Sequence, residues 1–223
     1  MTFSIIARCG RTGRFGAAVA SSSPAVASRC IRVRSAVGAA VSQNITDPGL
    51  GVMALDLMAA GASPQEALAQ LRHQPHIEYR QLMAINAEGK PAAFTGEKAL
   101  GTLATAVGNE AACAGNLLAN TEVPASMLRA FEASEGSLAE RLMLAMLAGQ
   151  AAGGEEGPVH SAGLLVIGDL SWPSVDLRLD WVEEDPVQAL YAVWKLYEPQ
   201  EQAYITRAKD PRAAPTFGVP GDL

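Results

Sequence analysis

The stretch MTFSIIARCGRTGRFGAAVASSSP (residues 1–24) decides the fold class. Two apolar runs, residues 3–7 and 15–21, flank a connection that contains Gly10 and Gly13. A short glycine-containing connection between two apolar runs is typical of a β-hairpin. Because both runs are almost wholly apolar, we expect each strand to be buried on both faces. The pattern therefore predicts a sheet enclosed between two other layers.

The rest of the chain continues with strands in hairpins and helices in consecutive pairs. The patterns predict further strands at 36–42, 80–86, 91–95, 102–114, 162–167 and 175–181, and helices at 51–60, 64–73, 123–134, 138–151 and 186–197. A doubly wound parallel fold alternates single strands with single helices, whereas paired helices between antiparallel strands are typical of stacked layers. We therefore predict an α+β protein, a four-layer αββα sandwich with two stacked, mostly antiparallel sheets. We expect residues 1–197 to form this single domain and residues 198–223 to form a polar, proline-rich tail that is peripheral or tied to a partner chain.

The composition argues against several classes of function. With a net charge of -6, the 223-residue chain has no excess of cations for nonspecific binding to nucleic acid. It lacks an apolar run of the ~18 residues that a membrane-spanning helix needs, and its first residues lack the pattern of a signal peptide. Three cysteines without CxxC spacing are typical of reduced thiols, so we expect a cytoplasmic protein. The motifs predict no metal and no cofactor.

Thr2 is the first candidate for chemistry, because an initiator methionine is normally removed before a small residue. Removal of Met1 leaves a free α-amine and a hydroxyl on one residue, so the amine can take the hydroxyl proton and make the oxygen a nucleophile. An α-amine has a pKa near 8, which leaves a useful neutral fraction at pH 7. The hairpin places Thr2 opposite about residues 20–22, beside Ser21 and Ser22. These serines either assist the amine and the substrate or simply form the turn that ends the strand.

Other polar residues stand at predicted strand ends. Arg34 either belongs to a solvated basic patch with Arg29 and Arg32 or places a cation near the amine or a substrate carboxylate. Amides at Gln43 and Asn44, and at Asn116 in AGNLLAN, are candidate donors to an oxyanion. Glu155 and Glu156 are adjacent acids on a loop, and we expect them to be solvated.

A family resemblance extends this interpretation. The segments TFSIIAR, GAAVASSSPAV, RSAVGAAVSQN, AAFTG, AGNLLAN, AERLMLAMLAGQAAGG and SAGLLVI, with the pair Arg80-Gln81, resemble the domain-of-unknown-function 1028 family from Thr2 to about Leu196. The resemblance implies the fold of the N-terminal nucleophile hydrolases and hydrolysis of a C–N bond in a small amide or ureide. It places Thr2 at the position after methionine, and the following residues at recurring polar positions of the family: Ser21, Arg34, Gln43, Arg80, Gln81 and Asn116. Related proteasome-type enzymes use an acid and a lysine about where this chain has Ser21 and Arg34, so a proteasome-like mechanism is not implied.

The leading hypothesis is therefore a hydrolase that uses Thr2 as its nucleophile after loss of Met1. Its predicted catalytic residues are Thr2, Ser21, Arg34, Gln43 and Asn116, and its predicted substrate-binding residues are Ser22, Asn44, Arg80 and Gln81. The alternative is a noncatalytic ligand-binding or scaffold protein with the same fold. The expected partners are a small-molecule substrate and a second copy of the chain in a homodimer, without nucleic acid or membrane.

Overall fold

Two antiparallel sheets lie face to face in the computed structural model, which describes residues 1–216. One sheet has six strands in the order β10-β9-β2-β1-β8-β7, and the other has four in the order β3-β4-β5-β6. The strands are β1 (Thr2–Arg8), β2 (Phe15–Ser21), β3 (Ile31–Arg34), β4 (Gly38–Asn44), β5 (Arg80–Asn86), β6 (Pro91–Thr95), β7 (Ala104–Val107), β8 (Ala111–Asn116), β9 (Ser161–Ile167) and β10 (Val175–Leu179).

The hairpin predicted from the first residues is confirmed. β1 pairs with β2 from Phe3 opposite Ala20 to Arg8 opposite Phe15. On its other side β1 pairs with β8, so it lies inside the six-stranded sheet. Both strands are buried along nearly their whole length, as their two-sided apolar sequences predict.

Helices cover the outer face of each sheet and complete four layers. They are α1 (Val26–Cys30), α2 (Pro48–Ala59), α3 (Pro64–Leu71), α4 (Val123–Ala133), α5 (Leu138–Ala151), α6 (Pro186–Tyr197) and α7 (Glu201–Lys209). Phe3 on β1 packs with Met127, Leu142 and Trp194 from α4, α5 and α6 outside the six-stranded sheet. Leu50, Leu55, Leu68 and Leu71 from α2 and α3 pack on the other sheet. The predicted αββα sandwich is confirmed.

Several segments differ from their sequence predictions, among them residues 102–114, which were expected to form one strand region and form the antiparallel pair β7 and β8. The predicted strand 36–42 is β4, and the residues before it form α1 and β3, which pairs with β4. The five-residue α1 is too short for an apolar period and has no side-chain cap, so its sequence carries no helix signal. Helix α2 begins at Pro48, where Asp47 accepts the Gly49 amide, rather than at residue 51.

The predicted tail contains a helix over the part that the structure describes. The sequence of helix α7 lacks the apolar stripe of a packed helix, and the helix has no buried residue. A salt bridge between Arg14 and Glu201 links α7 to the end of the β1–β2 connection. Residues 217–223 of the predicted tail lie outside the described residues.

Candidate functional site

The space between the sheets is apolar along most of its length and polar at one end. Successive strand residues alternate between faces, so the inward positions repeat every two residues. On β1, Ile6 belongs to the core between the sheets, and Ser4 and Thr2 follow at the same spacing. The same step leads from an apolar inward residue to a polar one on four other strands: Val19 to Ser21, Val41 to Gln43, Met83 to Gln81 and Ala114 to Asn116.

These polar residues form one buried group, which we call the strand-end cluster: Thr2, Ser4, Ser21, Gln43, Gln81 and Asn116. Thr2 is 5% exposed and the other five are fully buried. The strand register brings them together, because Thr2 pairs with Asn116 and Gln43 pairs with Gln81. Sequence reasoning identified five of the six, and Ser4 was missed although its place two residues after Thr2 is the signal that finds it.

Hydrogen bonds fix the amides of this cluster. Ser4 Oγ donates to Gln43 Oε1 at 2.6 Å, which links the two sheets. Gln43 Nε2 donates to Gln81 Oε1 at 2.7 Å, and Asn116 Nδ2 donates to the same oxygen at 3.2 Å. Gln81 Nε2 donates in turn to the Gly115 carbonyl at 3.1 Å. Gln81 is therefore the centre of the cluster, rather than a residue at its rim.

The Thr2 hydroxyl lies at the end of a row of hydroxyl groups. Its Oγ1 is 3.4 Å from Ser21 Oγ, which is 2.9 Å from Ser23 Oγ. Arg29 Nη2 donates to Ser23 Oγ at 3.0 Å, so a guanidinium stands at the far end of the row. The hydroxyls of Thr2 and Ser21 both donate to the carbonyl oxygen of Met1.

Arg34 is not brought to this site. It pairs with Gly38 at the end of β4 opposite to Gln43, about 17 Å away at ~3.3 Å for each residue. Its guanidinium forms a partly exposed salt bridge with Asp56 at 2.8 Å. The cation near Thr2 is Arg29, which sequence reasoning grouped with Arg34 and did not place at the site.

Glu155 is the third residue that sequence reasoning missed at this site. The expectation that it is solvated is wrong, because Glu155 is 5% exposed, whereas its neighbour Glu156 is exposed. Both Glu155 carboxylate oxygens accept the Ser22 backbone N–H, at 3.1 and 3.2 Å. Burial raises the pKa of Glu155 to about 7, and the nearby N-terminal ammonium opposes that rise.

The remaining predicted residues are neighbours of cluster residues in the chain, and Asn44 and Arg80 alternate with Gln43 and Gln81 along their strands. Asn44 and Arg80 face each other in the β4–β5 register, and the Arg80 guanidinium donates to the Ile45 carbonyl. Several of their side-chain atoms are buried without a hydrogen-bond partner within residues 1–216: Asn44 Oδ1, Asn44 Nδ2 and Arg80 Nε. Asn116 Oδ1 shares this state. Ser22 touches the site through its backbone N–H, which Glu155 accepts.

Comparison with known proteins shows the family. A family model described as a family of unknown function (DUF1028) matches residues 2–190. The chain belongs to DUF1028. A crystal structure of a DUF1028 protein from Silicibacter pomeroyi matches it with a TM-score of 0.83 and 30% identity, over 88% of this chain and 85% of that one. The resemblance inferred from the sequence is confirmed.

Other solved structures are more distant from this DUF1028 chain. Anbu (ancestral beta-subunit) from Yersinia bercovieri has 10% identity and a TM-score of 0.37, over 90% of this chain and 96% of that one. Anbu from Hyphomicrobium sp. strain MC1 has 11% identity and a TM-score of 0.39, over 97% of this chain and 100% of that one. No curated protein matches the chain.

The DUF1028 match contains the whole strand-end cluster, together with Arg29 and Glu155, and ends before α7. Within the described residues 1–216, no group of three or more His, Cys, Asp or Glu side chains is placed to hold a metal ion. Over the same residues, every helix is too short or too polar to cross a bilayer.

Proposed function

We propose that this DUF1028 protein hydrolyses C–N bonds in a small amide or ureide and uses Thr2 as an N-terminal nucleophile after Met1 is removed. The observation that carries the proposal is the row of hydroxyl groups from Thr2 through Ser21 and Ser23 to Arg29. This row lies at the end of an otherwise apolar space, where burying polar groups costs free energy unless they are hydrogen-bonded. Such an arrangement is typical of a site rather than of core packing.

The proposed reaction needs only the groups of Thr2, the substrate and water. The Thr2 amine takes the hydroxyl proton, and Oγ1 forms a bond to the carbonyl carbon of the substrate. The C–N bond breaks, and the proton passes from the ammonium to the departing nitrogen. Water then attacks the resulting ester, with the amine again accepting a proton, and Thr2 is restored as the acid leaves.

The serines and Arg29 support the oxygen side of this reaction. Because Ser23 accepts a hydrogen bond from Arg29, its own hydroxyl proton is free to point to Ser21. Ser21 donates to the Met1 carbonyl while Met1 is present. Loss of Met1 frees the Ser21 hydroxyl to donate to the Thr2 amine or to a substrate carbonyl oxygen.

The amides of the strand-end cluster would orient the substrate. Gln43 acts by holding Gln81, and Gln81 holds Asn116, which pairs with Thr2 in the strand register. The unpartnered Asn116 Oδ1 is an acceptor, and the Ser21 hydroxyl, once Met1 is lost, is a donor. An amide or ureide offers both kinds of group, which is the reason for favouring this substrate class.

A noncatalytic binding protein is the second candidate. It would follow from retention of Met1, because the Met1 carbonyl then occupies the hydroxyls of Thr2 and Ser21. The cytoplasmic location and the homodimer expected from the sequence stay predictions of the proposal.

The test compares two chains with defined N-termini. One begins at Thr2, released from a cleavable fusion, and the other keeps Met1, with both confirmed by intact mass. We expect the Thr-initiated chain to hydrolyse members of a panel of small amides and ureides, and Thr2→Ala to abolish turnover with little change in Tm. Equal turnover by the Met-initiated chain, without loss of its Met1, would contradict the mechanism.

A further inference from the structure

The loop after α5 carries a buried carboxylate beside the start of the chain. Gly153 and Gly154 have left-handed φ values of 123° and 59°, and they turn the backbone so that Glu155 points inward. We propose that Glu155 holds the ammonium group of the mature N-terminus and is a positioning residue for Thr2. This inference rests on the function proposed above, because it gives the Thr2 amine a partner for its charged form.

The loop is attached to the strand that pairs with β1. Glu155 forms an isolated β-bridge with Leu118, and the Ala119 and Glu156 amides donate to the carbonyls of Gly154 and Leu117 at 3.1 and 3.0 Å. These contacts directly follow Asn116, the partner of Thr2. They fix Glu155 on the β8 side of the chain start.

The other side of the loop contacts Met1 and the end of β2. Ser22 follows β2, and its backbone N–H donates to Glu155. A Cβ added to Gly157 would lie 3.2 Å from Met1 Cε, so the loop runs along the methionine side chain. When Met1 leaves, the amine moves back by one residue, a Cα spacing of about 3.8 Å. The amine therefore stays beside the same loop.

The charges around Glu155 support an ammonium partner. Within the described residues, the charge that favours its ionised form is the N-terminal ammonium. The other charged or titratable groups nearby face elsewhere. Arg29 donates to Ser23 and to the Pro24 carbonyl, His160 stacks on Trp181, and Glu156 is exposed.

This contact has a role in the proposed reaction. The Thr2 amine becomes an ammonium when it takes the hydroxyl proton, and this charge forms in a site that is nearly closed to water. A carboxylate beside it stabilises the ammonium without accepting a proton, as the buried acid of a Ser-His-Asp triad stabilises its imidazolium. Glu155 would lower the free energy of the proton-transferred state by this route.

The experiment measures the amine itself. The Thr-initiated wild type, Glu155→Gln and the matched control Glu156→Gln are labelled with an amine-acylating reagent across a pH series, and N-terminal labelling is read by mass spectrometry. An opposite charge at ~4–6 Å favours the charged form by at least about tenfold. We therefore expect the Thr2 amine to bind its proton about tenfold more weakly in Glu155→Gln and equally in Glu156→Gln. An unchanged titration in folded Glu155→Gln would overturn the inference.

A second measurement covers the case in which Glu155→Gln does not fold. The wild-type chain is labelled with ¹³C at the glutamate carboxyls, and the Glu155 signal is titrated before and after acetylation of the N-terminus. Removal of the ammonium should make Glu155 bind its proton about tenfold more tightly. An identical titration in the two states would overturn the inference.

Turnover separates this inference from the proposed function. If the enzyme is active, the acidic limb of its kcat/KM profile should move to lower pH in Glu155→Gln, with a lower kcat. Activity with no change in this profile would agree with Thr2 as the nucleophile and would refute the proposed contact between Glu155 and the Thr2 amine. If the titration of the Thr2 amine depends on Glu155 but the chain has no turnover, the contact would be supported and the proposed hydrolase activity would be refuted.

Discussion

The buried carboxyl of Glu155 should make the stability of the protein depend on pH. Its pKa is raised from the ordinary 4.5 to about 7 because it is buried. The folded state therefore keeps the proton between these two values while the unfolded state releases it, so the free energy of unfolding falls as pH rises. At about 1.4 kcal/mol for each pH unit, the carboxyl contributes about 3 kcal/mol below pH 4.5 that is lost above pH 7.

Substitution of Glu155 by Gln removes this dependence. Wild type and Glu155→Gln, prepared with the same N-terminus, are unfolded in urea at pH 5 and at pH 8. The difference in unfolding free energy between the two proteins at pH 5 is then compared with that difference at pH 8. We expect this difference to change by about 2–3 kcal/mol in favour of the variant at pH 8, since all other titrating groups cancel. Glu156→Gln, which changes an exposed neighbour, should show no such change. A difference that is the same at both pH values would refute the burial argument.

Two further substitutions test the packing of the layers. Glu140→Ala removes the carboxylate that accepts the indole N–H of the fully buried Trp194 at 2.7 Å, so we expect the free energy of unfolding in urea to fall by about 2 kcal/mol. The control Glu135→Ala, at an exposed residue, should lower it by less than about 0.5 kcal/mol. Equal losses in the two variants would contradict the reasoning. Gly38→Ala places a Cβ 2.0 Å from the Ile85 carbonyl oxygen, and we expect a loss of about 3 kcal/mol; an unchanged Tm would show that the β4–β5 pairing is looser than described.

The layered fold follows from local patterns because each layer leaves its own signal. A strand covered on both sides has no polar face, and β1 and β2 show this in the sequence. Helices α3 and α6 begin at Pro64 and Pro186, the residues at which the predicted helices begin, and Ser63 and Asp185 cap them. The proximity of Thr2 and Ser21 also follows from the hairpin register, since the alternation along a paired strand fixes which residues share a face.

Sequence patterns do not show which of Arg29 and Arg34 lies closer to the strand-end cluster. Both arginines belong to one basic stretch, and only the path of the chain separates them. Helix α1 holds Arg29 near the end of β2. Strand β3 then runs antiparallel to β4, from Ile31 opposite Val41 to Arg34 opposite Gly38, and so carries Arg34 away from the cluster. A five-residue helix without a cap gives no sequence signal, so the turn that decides between the two cations was not predictable.

Glu155 was missed for a related reason. Two adjacent acids on a loop look equivalent in a sequence, yet Glu155 is buried and Glu156 is exposed. The left-handed glycines before them and the bridge to Leu118 decide which acid points inward. The bridge is a contact between distant segments, which local propensity does not report.

The two charged residues missed by sequence reasoning, Arg29 and Glu155, have opposite charges and would act on different atoms of Thr2 in the proposed reaction. Arg29 stands at the end of the row of hydroxyls that reaches Oγ1, where it favours negative charge on the oxygen. Glu155 lies beside the chain start, where it favours positive charge on the amine. In the proposed reaction, transfer of a proton from Oγ1 to the amine creates that same pair of charges, so both residues would lower its free energy. The proposed reaction would therefore account for both charged residues, which a noncatalytic scaffold would not require.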